Sequence, residues 1–365
     1  MEVISLFKKL LALKSETPDD GGILDEIAAD LEGYTAIRID VEGVKNLFIY
    51  KKFAEGPHLC FAGHVDVVPA GEGWQSDPYK PLERDGYIYA RGAQDMKSGV
   101  AAFTQAVKDT EHFKGTLSLL LTSDEEGMAK YGTIEVLKYL ETHAMLPEAV
   151  IVAEPTCEEV FGDAIKVGRR GSINGMIEII GKQGHAAYPE KADNPIHAVS
   201  QVLAHIAGVN LDNGDTYFAP SRFVITDIRA GMEVTNVTPG KLKLMFNVRN
   251  STQTTKEDIK KFVHNYFDGM NYTFTLDQSA HPFVTDTNTN IVKTLDGAIL
   301  SVTGITPTHS TAGGTSDARF IAPYGIDVVE FGVRNDTIHA PNERTSIHEV
   351  HQLYEVFQKV IATYT

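Results

Sequence analysis

The 365-residue sequence predicts an α/β protein of two domains, in which a mostly parallel α/β domain is interrupted by a smaller α+β domain. Three observations carry this expectation. Apolar runs alternate with helical periodicity up to about residue 155, the pattern left by parallel strands joined through crossover helices. From about 171 to 281 the strands are longer, alternate in polarity and have few helices between them, as in an antiparallel sheet covered on one face. After about 282 the first rhythm resumes. The expected boundaries are 1–170 for the first part of the larger domain, 171–281 for the insert and 282–365 for the second part.

The opening stretch MEVISLFKKLLALKSETPDD places Val3, Ile4, Phe7, Leu10 and Leu11 at helical spacing with Lys8 and Lys9 between them. That spacing predicts an amphipathic helix; a signal peptide would set its charges before one apolar block. NLFIY (46–50), HLCFAG (58–63), LSLLL (117–121) and AVIVA (149–153) read as strands, and KSGVAAFTQAVKDT (97–110) and GTIEVLKYLETH (132–143) as helices. In the insert, INGMIEIIG, RFVITDI, KLKLMFNV and YTFTLD read as strands, with helices at NPIHAVSQVLAHIAG and KEDIKKFVHNYFDG. The last part offers a helix near IVKTLDGAIL, a strand at IDVVEFG and a closing helix HEVHQLYEVFQKVIATY. No internal repeat or low-complexity segment interrupts this order.

Composition narrows the function. Hydrophobic residues make up 42% and charged residues 22%, as in a folded globular protein. A net charge of −16 without any basic run argues against nucleic acid, whose phosphates are bound by Lys and Arg clusters. Two cysteines, Cys60 and Cys157, are too few for a disulfide scaffold, so a reducing cytoplasm is expected. No stretch approaches 18 uninterrupted apolar residues, so no membrane partner is expected.

In open α/β sheets the site forms at the carboxyl ends of the strands. His64 and Asp66 follow HLCFAG, Glu125 and Glu126 follow LSLLLTSD, Glu154 follows AVIVA, and His339 lies on the loop after VVEFG. Asp95, in the glycine-punctuated loop RGAQDMKSG just before a helix, can join them. So many carboxylates repel one another, and a divalent cation is the least costly way to hold them together. Mixed histidine and carboxylate ligation suits Zn(II), with Co(II) or Mn(II) as substitutes. His64 and Asp66, two apart, can point to one side of an extended segment, so Asp66 is expected to accept the proton of the imidazole nitrogen turned away from the metal. Glu125 and Glu126 are adjacent and project in opposite directions. One can bind metal while the other takes a proton from metal-activated water and delivers it to a leaving amine. Asp124 is expected to face solvent or cap the turn.

GHVDVVP, RGAQDMKSG, TSDEEG, VAEPT and TIHAPNE occur in that order, and with them the chain resembles the M20 family of di-zinc aminoacyl hydrolases, and within it the succinyl-diaminopimelate desuccinylases. The resemblance implies a zinc-peptidase-like catalytic domain and two zinc ions per subunit. Asp95 would bridge them, His64 and Glu154 would complete one site, Glu126 and His339 the other, and Glu125 would be the general base and acid. The insert would be a lid and dimerisation domain of a homodimer, and GKQGHAAYPE would carry His185, which helps polarise the scissile carbonyl across the dimer.

GRRGS, NVTPG, FNVRN and GGTSDARF resemble segments that grip an anionic small-molecule substrate. Arg169 and Arg249 could pair bidentately with its carboxylates, and Ser172, Asn236 and Thr315 could donate hydrogen bonds. Tyr188, in GKQGHAAYPE, and Gly314, in GGTSDARF, join the implied substrate contacts. GGTSD lacks the strand and G-K-[ST] context of a phosphate cradle, so nucleotide binding is not expected. Thr235 stands where many desuccinylases have a second Asn, and HAPNE is the wording of the wider family. The implied reaction is hydrolysis of N-succinyl-L,L-diaminopimelate to succinate and L,L-diaminopimelate. Its competitors are another M20 amide hydrolase, such as an N-acetylornithine deacetylase or small peptidase, and a non-catalytic binding protein. The latter would have lost a ligand or the base, and none is missing. His143, His197, His205 and His281 match nothing catalytic.

Overall fold

The computed structural model describes residues 2–365, which divide into two compact units. The first comprises the chain up to Gly168 together with Thr285–Ser310 and Ser316–Thr365; the second comprises Arg169–Val284 and Thr311–Thr315. The chain therefore changes unit at 168/169 and 284/285, a few residues from the expected 170/171 and 281/282, and five residues of the later sequence return to the second unit. Local hydrogen bonds explain these positions. Thr285 donates its N–H to Val167 O and its hydroxyl to Val328 O, which holds it to the first unit. Arg169 Nη1 donates to Ala312 O and the Thr311 hydroxyl to Tyr217 O, which holds 311–315 to the second.

The first unit is built on an eight-stranded sheet in the order Thr35–Arg38, Asn46–Lys52, Thr116–Thr122, His58–His64, Ala149–Val152, Asp327–Glu330, Ala164–Lys166, Thr308–Ser310. Its four central strands, from Thr116–Thr122 to Asp327–Glu330, are parallel, with Leu59 opposite Leu117 and Val150 opposite Val328. They are buried along almost their whole length, which is why their sequences are continuous apolar runs. The sheet is mostly parallel, as expected, and becomes mixed at its flanks, where Asn46–Lys52 and Ala164–Lys166 run antiparallel to their central neighbours.

Helices Glu2–Ala12, Lys97–Lys108, Asn290–Thr303 and Ile347–Thr363 pack as one group, and Thr133–Thr142 and Ala318–Ile321 as another. Phe61 of the central sheet meets Phe103 and Phe357 of the first group at ring-centroid distances of 5.9 and 5.1 Å. Gly99 allows the start of Lys97–Lys108 to press against the end of Ala149–Val152: a Cβ there would lie 2.4 Å from Ala153 O. Glycine at this position thus sets how near Asp95, just before the helix, comes to Glu154, just after the strand.

The second unit is a four-stranded antiparallel sheet in the order Arg222–Ala230, Lys241–Arg249, Ser172–Ile180, Tyr272–Ala280. One face carries Ile173, Ile177, Leu242, Leu244, Phe246 and Val248, buried against Val199, Ile206, Ile259, Val263 and Phe267 of helices Pro195–Ile206 and Lys256–Phe267. Both helices start on sequence signals. Asn194 accepts the Ile196 N–H at 3.0 Å ahead of Pro195, and Thr255 forms a reciprocal capping box with Asp258.

Candidate metal centre

Each candidate ligand of the first unit sits where a buried strand or a tight loop ends. His64 is the last residue of His58–His64; Glu126 stands four residues beyond Thr116–Thr122, Glu154 two beyond Ala149–Val152, and His339 on the loop after Asp327–Glu330. Asp95 occupies the turn that opens Lys97–Lys108. The structure brings these side chains together. Asp95 turns one oxygen to each imidazole, with Oδ1 3.1 Å from His64 Nε2 and Oδ2 3.4 Å from His339 Nε2. Glu154 Oε1 lies 3.9 Å from His64 Nε2, and Glu126 Oε1 2.9 Å from His339 Nε2. Ligand atoms of His64, Asp95 and Glu126 lie within 4.8 Å of one another, a group able to hold a metal ion.

The electrostatics are those of an anionic pocket. Burial pulls the His64 imidazole down, but Asp95, Glu154 and Asp66 outweigh it and raise its pKa well above the ordinary value. Hydrogen bonds to Asp95 and Glu126 push His339 up to about 10. Desolvation pushes Glu125 up to about 8, with Asp317, Glu126 and Asp95 adding to the shift and His64 opposing it. Glu154 is raised well above the carboxylate range by burial and by Asp95. Asp95 behaves differently: desolvation pushes it up, but its two histidine partners overcome that and hold it below the usual range. Imidazoles driven towards the cationic form by neighbouring carboxylates, and buried carboxylates raised further by one another, make a pocket that a divalent cation would suit. The donor set, imidazole nitrogen with carboxylate oxygen, fits such an ion.

Asp66 does not orient His64 as its spacing suggested. His64 Nδ1 donates to the backbone carbonyl of Asp66 at 2.9 Å, while the nearest carboxylate oxygen stands 3.7 Å away. The i, i+2 geometry brings the residue into place, but its main-chain oxygen is closer. The Asp66 carboxylate instead accepts the Glu126 N–H at 3.2 Å, and its pKa is pushed up to about 6 by burial. Asp124 is buried and caps the turn, accepting the N–H groups of Lys130 and Tyr131.

The other candidates belong to the second unit. His185 lies on a two-residue strand, accepts the Ala187 N–H through Nδ1 and faces the ring of Tyr188 at 5.7 Å. Tyr188 is exposed, Asn236 accepts the Ala186 N–H through its carbonyl, and Arg249 is exposed at the end of Lys241–Arg249. Ser172 is buried and meets Asn247 Nδ2 at 3.1 Å. Arg169 holds Ala312 O, in the segment that carries Gly314 and Thr315.

Four residues around the ligands carried no expectation: Arg91, Gln94, Asp317 and Glu343. Asp317 is buried, accepts from the Thr133 hydroxyl at 2.7 Å and adds negative charge near Glu125. Glu343 ends the TIHAPNE block and Arg91 opens RGAQDMKSG, so position within those blocks was the available signal.

A family model described as peptidase family M20/M25/M40 matches residues 60–363. A succinyl-diaminopimelate desuccinylase of a Nitratiruptor species is 70% identical over 364 residues, covering 100% of both chains. Among solved structures, the aminopeptidase PepT of Bacillus cereus superposes with a TM-score of 0.82 at 21% identity, covering 99% of this chain and 97% of that one. The YXEP protein of Bacillus subtilis, described as a dinuclear metal binding peptidase of the M20 family, superposes with a TM-score of 0.72 at 16% identity, covering 98% and 96%.

Proposed function

The chain belongs to peptidase family M20/M25/M40, and from that premise we propose that it hydrolyses N-succinyl-L,L-2,6-diaminopimelate to succinate and L,L-2,6-diaminopimelate, a step of diaminopimelate and lysine synthesis in the cytoplasm. The observation that carries the reading is 70% identity, from end to end, to a relative bearing the name succinyl-diaminopimelate desuccinylase. His64, Glu154 and one oxygen of Asp95 would hold one Zn(II), and His339, Glu126 and the other oxygen of Asp95 a second, with Co(II) or Mn(II) able to substitute. Bound there, the two ions would polarise the scissile carbonyl and make water acidic enough to attack near neutral pH.

The remaining work falls to side chains. Glu125, next to the candidate ligand Glu126, would take a proton from the attacking water and give it to the departing amine. Asp66 holds the Glu126 backbone, and with it the turn that presents Glu125. In the second unit, Arg169 and Arg249 would pair with the substrate's carboxylates, helped by Ser172, Tyr188, Asn236, Gly314 and Thr315. A second copy of the chain, docked through this unit, would bring His185 to the carbonyl oxygen.

The test is steady-state hydrolysis of the succinyl substrate beside N-acetylornithine and a dipeptide, with zinc-loaded and chelated protein. A chelator-sensitive preference for the succinyl substrate is expected. A preference for either competitor would overturn the substrate assignment and point to Thr235 and the HAPNE segment.

A further inference from the structure

Glu343 is fully buried, and four donors converge on its carboxylate. Oε1 accepts the backbone N–H groups of Gln94 at 2.7 Å and Asp95 at 3.1 Å. Oε2 accepts the Gly92 N–H at 3.0 Å and Arg91 Nη1 at 2.6 Å. The other arm of the Arg91 guanidinium donates to His339 O at 3.2 Å and Ala70 O at 3.1 Å, and the guanidinium lies 5.2 Å from the ring of Trp74. One carboxylate and one guanidinium thus grip the main chain at two of the candidate ligands, Asp95 and His339, though neither touches a ligand side chain.

We propose that Glu343 is a positioning residue of the metal centre, holding Asp95 directly and His339 through Arg91 at the separation that two-ion binding needs. This rests on the two-metal reading given above. A staple serving stability alone could close these loops anywhere along them; here the donors are the peptide N–H of the bridging aspartate itself and of the residue before it, and the far acceptor is the carbonyl of the histidine itself. A buried carboxylate accepting N–H bonds is also hard to replace. An amide at this position would present its own N–H groups to at least one of the four donors, leaving that donor unsatisfied and forcing the loop to move. Gln94 supplies a separate tether, with Oε1 accepting Thr337 N–H at 2.8 Å and Nε2 donating to Asp336 at 2.6 Å, so the loops stay joined when Glu343 is altered.

The experiment titrates Co(II) and Zn(II) into chelator-stripped full-length protein, comparing wild type with Glu343→Gln and Arg91→Lys. It reads affinity and stoichiometry by calorimetry, ligand geometry by the Co(II) absorption spectrum, and loop position by the fluorescence of Trp74, the single tryptophan. Partners of metal ligands are typically worth about 10–100-fold in affinity or activity, so Glu343→Gln is expected to weaken at least one ion by that factor and to change the Co(II) spectrum. Arg91→Lys is expected to weaken one ion and leave the other nearly intact, and both variants to lower kcat with KM little changed. Wild-type affinity and spectrum in both variants would overturn the proposal, as would a Glu343→Gln that fails to fold beside an Arg91→Lys that binds metal normally. If wild type takes up no ion, the two-metal reading itself falls, which is a different result from unchanged variants of a metal-binding wild type.

Discussion

Between Asp124, whose carboxylate is occupied by two backbone N–H groups, and Glu126, whose carboxylate meets His339, Glu125 makes neither contact and feels Asp317, Glu126, Asp95 and His64 electrostatically. In the proposed reaction that arrangement would separate binding from proton transfer along three consecutive residues. Glu125→Ala is accordingly expected to lower turnover by about 10²–10⁴-fold, the range of a lost general acid and base, while metal content measured by elemental analysis stays at the wild-type level. Metal loss in this variant would mean that the roles of Glu125 and Glu126 are exchanged. A second residue-scale expectation concerns His58, which burial pushes down to about 4 and which pairs with the Ser118 hydroxyl at 2.8 Å. The unfolded chain takes up this proton near the ordinary value of about 6.5, whereas the folded chain resists it until about 4. Its stabilising contribution is therefore complete above 6.5 and is lost as the pH falls from 6.5 to 4. His58→Gln should lose less stability than wild type across that window in denaturation midpoints; parallel loss would refute the assignment.

At the scale of elements, the approach of Lys97–Lys108 to the end of Ala149–Val152 sets the spacing of Asp95 and Glu154. Gly99→Ala would put a Cβ 2.4 Å from Ala153 O, and such overpacking costs about 1–3 kcal/mol. The expected result is a lower melting temperature together with weaker metal binding; a variant that melts early but binds metal normally would show that the contact serves stability only. The central strands and long helices were legible in the sequence because burial on both faces or on one stripe writes itself as a run or a period. Thr35–Arg38 was not, being an exposed edge strand, nor were Ala164–Lys166 and Thr308–Ser310, which are too short to show a period. At the site, strand-end chemistry pointed to His64, Asp66, Glu125, Glu126, Glu154 and His339, and the glycine-punctuated loop before a helix added Asp95. Glu343 was beyond it, since its partners are main-chain N–H groups about 250 residues away, which no side-chain pattern reports.

Across the whole molecule, the sheet face of the second unit turned away from its two helices exposes Val224 and Met245, while the other face is closed by those helices. Exposed apolar side chains on the open face of a sheet suit a self-complementary contact, and this pair supports the proposed homodimer. Val224→Asp with Met245→Asp should shift the mass measured by light scattering from two chains to one; a wild type already of one chain would refute the dimer.

The sheet order also bears on how the protein is made. All four strands of the second unit's sheet lie between residues 172 and 280, whereas Asp327–Glu330 inserts between Ala149–Val152 and Ala164–Lys166 in the first. Chains arrested on the ribosome before residue 327 should resist protease across 169–284 and be cut within 2–168; equal protection of both would contradict this. The part emerging in the middle of synthesis is then the first to be finished, and the unit bearing the candidate metal ligands waits, with one of its central strands still missing, for the end of translation.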